Sequence, residues 1–260
     1  YPMTTGAPAE VMDFRITGAI ADPPGLTDTH ASEALWRLPA CNWCYEPPPA
    51  PEVEETPPVL RGAGAEFTFA SFNAIAKLSS ACLALWSLVL AAVPRSRLLL
   101  KSFALADAGA RRALMQRFLA LGIDEERLVL MAPQADAKAH LAQYHHVDLC
   151  LDTLPYNGTT TTCEALWMGV PVLTLAGCEH RSRVGASLLT HAGLPELVAL
   201  DEEAFVATAV ALAADPQRLA TLRHGLRPRL QASTLMDGPR FAQDFTAALR
   251  AMWRQRCVRA

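Results

Sequence analysis

The chain has 260 residues, of which 51% are hydrophobic and 19% charged, with a formal net charge of −3. That length and apolar content can bury a core, so disorder throughout is excluded and one large or two small domains are expected. The near-balance of charge removes any bulk argument for nucleic acid or an anionic membrane as partner.

The opening Tyr1-Pro2-Met3-Thr4-Thr5-Gly6 has neither an initiating Met nor a basic n-region, which predicts a fragment or processed product without a secretory signal. Val11 to Ile16 reads as a short strand and His30 to Leu38 as a helix. Cys41 and Cys44 form a Cys-x-x-Cys, but no second pair follows to complete a zinc site. Seven cysteines, an odd number, predict reduced thiols and a cytoplasmic protein. Pro47-Pro48-Pro49-Ala50-Pro51 and Pro57-Pro58 make a linker or extended surface segment, which places a boundary at about residue 60.

Beyond it the pattern turns regular. Strands are predicted at Glu66–Ser71, Arg97–Lys101, Arg127–Met131, Val147–Leu151 and Pro171–Leu175. Helices are predicted at Ser79–Ala92, Asp107–Leu121, Ala137–Tyr144, Thr160–Met168, Arg183–His191, Asp201–Ala213, Pro216–Leu230 and Pro239–Trp253. The longest apolar stretch, Ala81 to Val93, is broken by Ser87 and falls short of the roughly 18 residues a membrane span needs. Alternating strands and helices with short connections predict an α/β fold with a doubly wound parallel sheet.

Ligands of open α/β sheets bind beyond the carboxyl ends of the strands. One such end carries Asp152-Thr153-Leu154-Pro155-Tyr156-Asn157-Gly158-Thr159-Thr160-Thr161-Thr162-Cys163-Glu164. A turn running into a threonine-rich helix start offers free N–H groups, hydroxyls and a positive dipole end, which suits a phosphate or diphosphate. Glu164, one turn in, can accept hydrogen bonds from a ribose diol. The same residues also suit a plain N-cap and first turn, and local sequence does not separate the two. Lys77, in a strand-to-helix loop after Phe72-Asn73, could neutralise a phosphate or be an ordinary exposed lysine. His140 could meet a nucleobase. His180, Arg181 and Arg183 could meet a donor or acceptor group, or simply form a charged helix start. The sequence has no Gly-x-Gly-x-x-Gly after a strand, no P-loop, no Gly-x-Ser-x-Gly and no His-Glu-x-x-His.

Three stretches closely resemble the catalytic region of the O-GlcNAc transferase and SPINDLY family: Phe69-Ala70-Ser71-Phe72-Asn73 with Lys77, Leu151 to Val172, and Ser182-Arg183-Val184-Gly185-Ala186-Ser187. Tyr1-Pro2 to Gly6, Met12 to Thr17, Ala21-Asp22-Pro23-Pro24, Leu235-Met236-Asp237 and Met252-Trp253 extend the likeness along nearly the whole chain. The resemblance implies a GT-B fold. Residues 1–60 would be the tail of its N-terminal Rossmann-like domain, and 61–260 the C-terminal nucleotide-sugar-binding domain. It implies an inverting, metal-independent transferase that places a sugar on Ser or Thr of acceptor proteins. Asn73, Lys77, Gly158, Thr159, Thr160 and Thr161 would hold the diphosphate, with Lys77 stabilising the leaving group. His140 would contact the nucleoside and Glu164 the ribose, while Tyr156, His180 and Arg183 would face the sugar or acceptor. Ala74 stands where relatives often carry an amide, so one phosphate contact is missing. Without the repeats and the first half of the N-terminal domain, weak or no activity is expected of this piece. The implied donor is UDP-GlcNAc, with GDP-fucose the alternative. A non-catalytic nucleotide-sugar-binding or interaction module is the competing reading.

Overall fold

The computed structural model describes residues 11–259, so the Tyr1-Pro2 to Gly6 motif lies outside the described residues. Two parallel sheets organise the chain. The smaller pairs β1 (Phe14–Gly18) with β2 (Ala34–Leu38), with Ile16 opposite Trp36. The larger contains β3 (Phe67–Ser71), β4 (Ser96–Lys101), β5 (Leu128–Met131), β6 (Leu149–Leu151), β7 (Val172–Leu175) and β8 (Val198–Ala199). Its spatial order is β5-β4-β3-β6-β7-β8, all parallel, so the winding reverses between β3 and β6. The predicted doubly wound α/β architecture is the observed one. All five residues of β3 are buried, as suits a strand covered on both faces.

The helices are α1 (Ser80–Ala92), α2 (Ala108–Leu119), α3 (Ala137–Ala142), α4 (Thr160–Trp167), α5 (Val184–His191), α6 (Glu202–Ala214), α7 (Pro216–Gln231) and α8 (Gly238–Arg259). No helix among the described residues is long and apolar enough to cross a membrane. Ser79 caps α1 by accepting from Cys82 N–H at 3.0 Å, and α1 buries Leu83, Trp86 and Leu90. Asp107 caps α2, and Gly122 follows its end at φ +78°.

Two expectations change. His30–Leu38 is not a helix: Asp28–His30 makes one 3-10 turn and Ala34–Leu38 is β2. The apolar spacing there is too short to choose between periods, and tertiary packing decides. Trp36 meets Phe14 edge-to-face at 5.7 Å, and Arg37 bonds Asp28 at 2.8 and 2.9 Å. The proline segment is extended, as expected, but it is strapped down. Arg223, 1% exposed, donates to Glu54 O, to Val147 O at 2.8 Å and to Tyr144 O at 3.1 Å. Arg227 donates to Pro51 O at 3.0 Å. Gly169, at φ +75°, lets the strap approach: a Cβ there would lie 2.6 Å from Val53 Cγ1.

The main core runs through the larger sheet and its helices. A second, smaller core joins Leu38, Ala248 and Met252 with Phe14, Ile16 and Trp36, so α8 covers the β1–β2 pair.

Candidate functional site

The reversal between β3 and β6 leaves a crevice at their carboxyl ends, the usual ligand position in such sheets. β3 leads into Phe72-Asn73 and a 3-10 turn, Ile75–Lys77. Lys77 Nζ donates to Asn157 O at 2.9 Å and Asn73 Oδ1 at 3.3 Å, and lies 4.2 Å from the Tyr156 ring centroid. Burial lowers the Lys77 pKa, opposed by the charge of Asp152. Thr161 Oγ1 donates to the same Asn73 Oδ1 at 3.0 Å.

β6 leads into Asp152, which is 2% exposed. Its carboxylate accepts Gly158 N–H at 2.7 Å, Thr153 N–H at 2.8 Å and the Thr174 hydroxyl at 2.8 Å. Burial raises its pKa to about 6, against the pull of these donors and of Lys77. At neutral pH it stays ionised and pins the turn. Asn157 completes the turn, donating to Thr153 O at 2.8 Å and accepting Gly185 N–H at 3.1 Å. The Leu154–Pro155 peptide is cis. A Cβ on Gly158 would fall 2.6 Å from Thr161 Oγ1 and 2.9 Å from Thr162 Oγ1, so any larger residue would have to displace these hydroxyls for the turn to fold onto α4. Cys163 N–H bonds Thr159 O at 3.1 Å, which leaves the N–H groups of Thr160, Thr161 and Thr162 ahead of the helical ladder. Thr159, the N-cap, makes no side-chain cap bond. Unpaired N–H groups beside an ammonium form an anion-binding arrangement.

One turn further along α4, Glu164 Oε2 meets His140 Nε2 at 3.1 Å. Lys101, buried at the end of β4, contacts His140 Nδ1 closely and lies 5.4 Å from the Phe72 ring centroid. Burial lowers the Lys101 pKa, opposed by Glu164. The Phe72 and Tyr144 rings lie 5.9 and 6.1 Å from His140. This second cluster is part polar and part aromatic, which suits a nucleoside.

A third cluster follows β7. His180 Nδ1 lies 2.6 Å from Asp22 Oδ2, and Arg183 donates to Ile20 O at 3.0 Å and Gly177 O at 2.9 Å. Asn157 N–H donates to Arg181 O at 2.9 Å and ties this loop to the Gly158 turn. Among the described residues, no three His, Cys, Asp or Glu side chains gather as a metal-ligand group.

Residues 64–245 match the model of glycosyl transferase family 41. The chain belongs to glycosyl transferase family 41. It is 43% identical over 258 residues to a protein of Oryza sativa subsp. japonica named "Probable UDP-N-acetylglucosamine--peptide N-acetylglucosaminyltransferase SPINDLY", covering 99% of this chain and 27% of that protein. The chain thus spans just over a quarter of that relative's length. A solved O-GlcNAc transferase variant from Thermobaculum terrenum superposes with TM-score 0.87 at 37% identity, covering 98% of this chain and 47% of that one. Sucrose-phosphate synthase from Thermosynechococcus elongatus shares the fold, with TM-score 0.57 and 20% identity over 95% of this chain and 59% of that one. The architecture of this family 41 chain is the GT-B type that the sequence resemblance implied.

Within the family 41 chain the candidate residues fall into three groups. Asn73, Lys77, Tyr156, Gly158 and Thr161 converge in one cluster, with Thr159 and the exposed Thr160 at the adjoining helix start. His140 and Glu164 form the second, and His180 and Arg183 lie in the third. Arg183 is committed to backbone carbonyls of two loops, which makes it a clasp rather than an open contact. Sequence reasoning passed over Lys101, Asp152 and Asp22. Lys101 and Asp152 carried a readable signal: each is a charged residue closing an apolar strand at its carboxyl end.

Proposed function

We propose that this chain is the donor-binding part of a protein O-glycosyltransferase. Residues 1–60 are taken as the tail of an N-terminal catalytic domain and 61–260 as the nucleotide-sugar-binding domain. One observation carries the reading: Lys77, Asn73 and Thr161 converge on the unladdered N-terminus of α4, at the point where the sheet winding reverses.

In this reading the diphosphate sits against Lys77, Gly158 and the first turn of α4. Glu164 takes the ribose diol and His140 the base. The acceptor Ser or Thr oxygen attacks the anomeric carbon from the face opposite the nucleotide, which inverts the centre. The carbon–oxygen bond to the phosphate breaks and its electron pair leaves on the diphosphate, while the acceptor hydroxyl passes its proton to solvent water. Preorganised donors aimed at the departing charge lower the barrier. Lys77 and the helix N-terminus supply the positive counter-charge, so the reading calls for no metal. The donor is UDP-GlcNAc, supported by the names of the relatives, with GDP-fucose the alternative. A cytoplasmic setting, without nucleic acid or membrane as partner, completes the reading.

Calorimetric titration with UDP and, separately, GDP tests it. One nucleotide binds, and Lys77→Ala weakens it by about ten- to a hundredfold, as expected for a lost charge-assisted bond. Affinity unchanged in Lys77→Ala removes Lys77 from the site. Binding of neither nucleotide by the wild type contradicts the donor-site reading.

A further inference from the structure

Lys101 closes β4 and is 6% exposed. Among the described residues its ammonium makes no ion pair, and its hydrogen-bonding partner is His140 Nδ1. The carboxylate of Glu164 is reached only across the imidazole, where His140 Nε2 meets Glu164 Oε2 at 3.1 Å. The Phe72 ring, 5.4 Å away, adds only a weak cation–π attraction. A buried ammonium without a direct counter-ion costs stability, whereas a methionine of similar length would fill the same place without that cost. Packing therefore does not account for a lysine here.

The two neighbours of the His140 ring select one form of it. An ammonium has three donors and no acceptor, so Nδ1 offers it a lone pair. The carboxylate at the other nitrogen is an acceptor, so Nε2 carries the proton. An Nδ1–H, in the other tautomer or in an imidazolium, would point at the ammonium's own protons. Burial disfavours the charge on Lys101, and Glu164 across the ring supports it. With both nitrogens engaged, the ring cannot flip without breaking a hydrogen bond. The His140 side chain is 24% exposed and that of Glu164 14%, so both border solvent. Among the described residues no hydrogen bond reaches Glu164 Oε1.

We propose that Lys101 is the positioning residue of the nucleoside half of the site: it acts through His140, holding the ring in its Nε2–H form, and so fixes the Glu164 carboxylate with Oε1 left for the ribose diol. The inference rests on the donor-site reading above. In it Lys101 touches no part of the nucleotide. It gives the base a ring of fixed plane and the ribose a carboxylate of fixed orientation, at the expense of a buried charge.

The test is calorimetric titration of the full chain with UDP and, separately, GDP, in the wild type, Lys101→Met, His140→Ala and the double variant. Each single variant is expected to weaken the nucleotide that the wild type binds by about tenfold. The double variant is expected to weaken it by about tenfold too, rather than about a hundredfold, because the two residues act as one unit. Nitrogen-15 spectra of the histidine side chains give a second readout, which a packing role for Lys101 would not move. The His140 Nδ1 resonance is expected to be that of an unprotonated nitrogen in the wild type and to shift in Lys101→Met. Should Lys101→Met fail to fold, Lys101→Leu carries the same comparisons, with the same results expected. Weakening by Lys101→Met that persists in the His140→Ala background overturns the inference, because Lys101 then acts without His140. Binding as tight as wild type in Lys101→Met overturns it too, as does an unmoved Nδ1 resonance. Wild type that binds no nucleotide removes the donor reading and this inference together. Binding that Lys77→Ala weakens and Lys101→Met leaves unchanged removes this inference alone.

Discussion

Asp152 and Asp22 are both buried carboxylates, and their surroundings send them opposite ways. Asp152 is pushed up to about 6 by burial despite its donors, whereas the bonds to Asp22 outweigh burial and hold it at about 2. Linkage turns this into two pH dependences of opposite sign. The folded state binds the Asp152 proton more tightly than the unfolded chain, so this group's contribution is greatest below about 4 and falls as pH rises through about 6. Asp22 contributes above about 4 and loses its contribution as pH falls through about 2. Urea unfolding of wild type against Asp152→Asn should therefore show the difference moving against the wild type from pH 4 to 7. Against Asp22→Asn the wild type should lose its advantage on acidification toward pH 2. A trend of the reverse sign in either pair contradicts the assigned surroundings. The sequence made the Gly158 turn and Lys77 readable because their signals are local: a turn dipeptide, a threonine run, a lysine in a strand-to-helix loop. Asp22 was hidden because its partner, His180, lies 158 residues away.

At the scale of elements, caps and straps place the site. Ser79 does two jobs: it caps α1, and its hydroxyl donates to Leu154 O at 2.7 Å, next to the Gly158 turn. Asp201 caps α6 by accepting Ala204 N–H at 2.7 Å and, among the described residues, makes no second side-chain bond. Ser79→Ala should therefore cost about 2 kcal/mol, one cap and one partly buried hydrogen bond, and Asp201→Ala about 1 kcal/mol. Paired denaturant titrations check the order, and an equal loss in both would contradict the second role of Ser79. Helix starts were legible for the same reason as the caps, which sit where Ser and Asp precede apolar periods. The His30–Leu38 segment was not legible, because five residues fit either period and the choice is made by β1 and α8. The two-residue β8 was missed, being set by pairing with β7 rather than by any pattern of its own.

Over the whole molecule, one sheet reversal organises the chemistry. Strand order puts β3 beside β6, although Phe67 and Leu149 are far apart in sequence, and brings Lys77 to Asn157. The alternation of strands and helices gave the doubly wound class, while the order of strands came only with the structure. The small β1–β2 pair, its cover by α8 and the strap across Arg223 are long-range arrangements that no local pattern encodes. The central claim is that a nucleoside diphosphate sits on the turn that joins β6 to α4. Amide chemical-shift mapping of the isotopically labelled chain, on addition of UDP or GDP, tests this most directly. The account predicts saturable shifts concentrated at Gly158, Thr160 and Thr161, and their loss in Lys77→Ala. Saturable shifts elsewhere that leave these amides unmoved would contradict it.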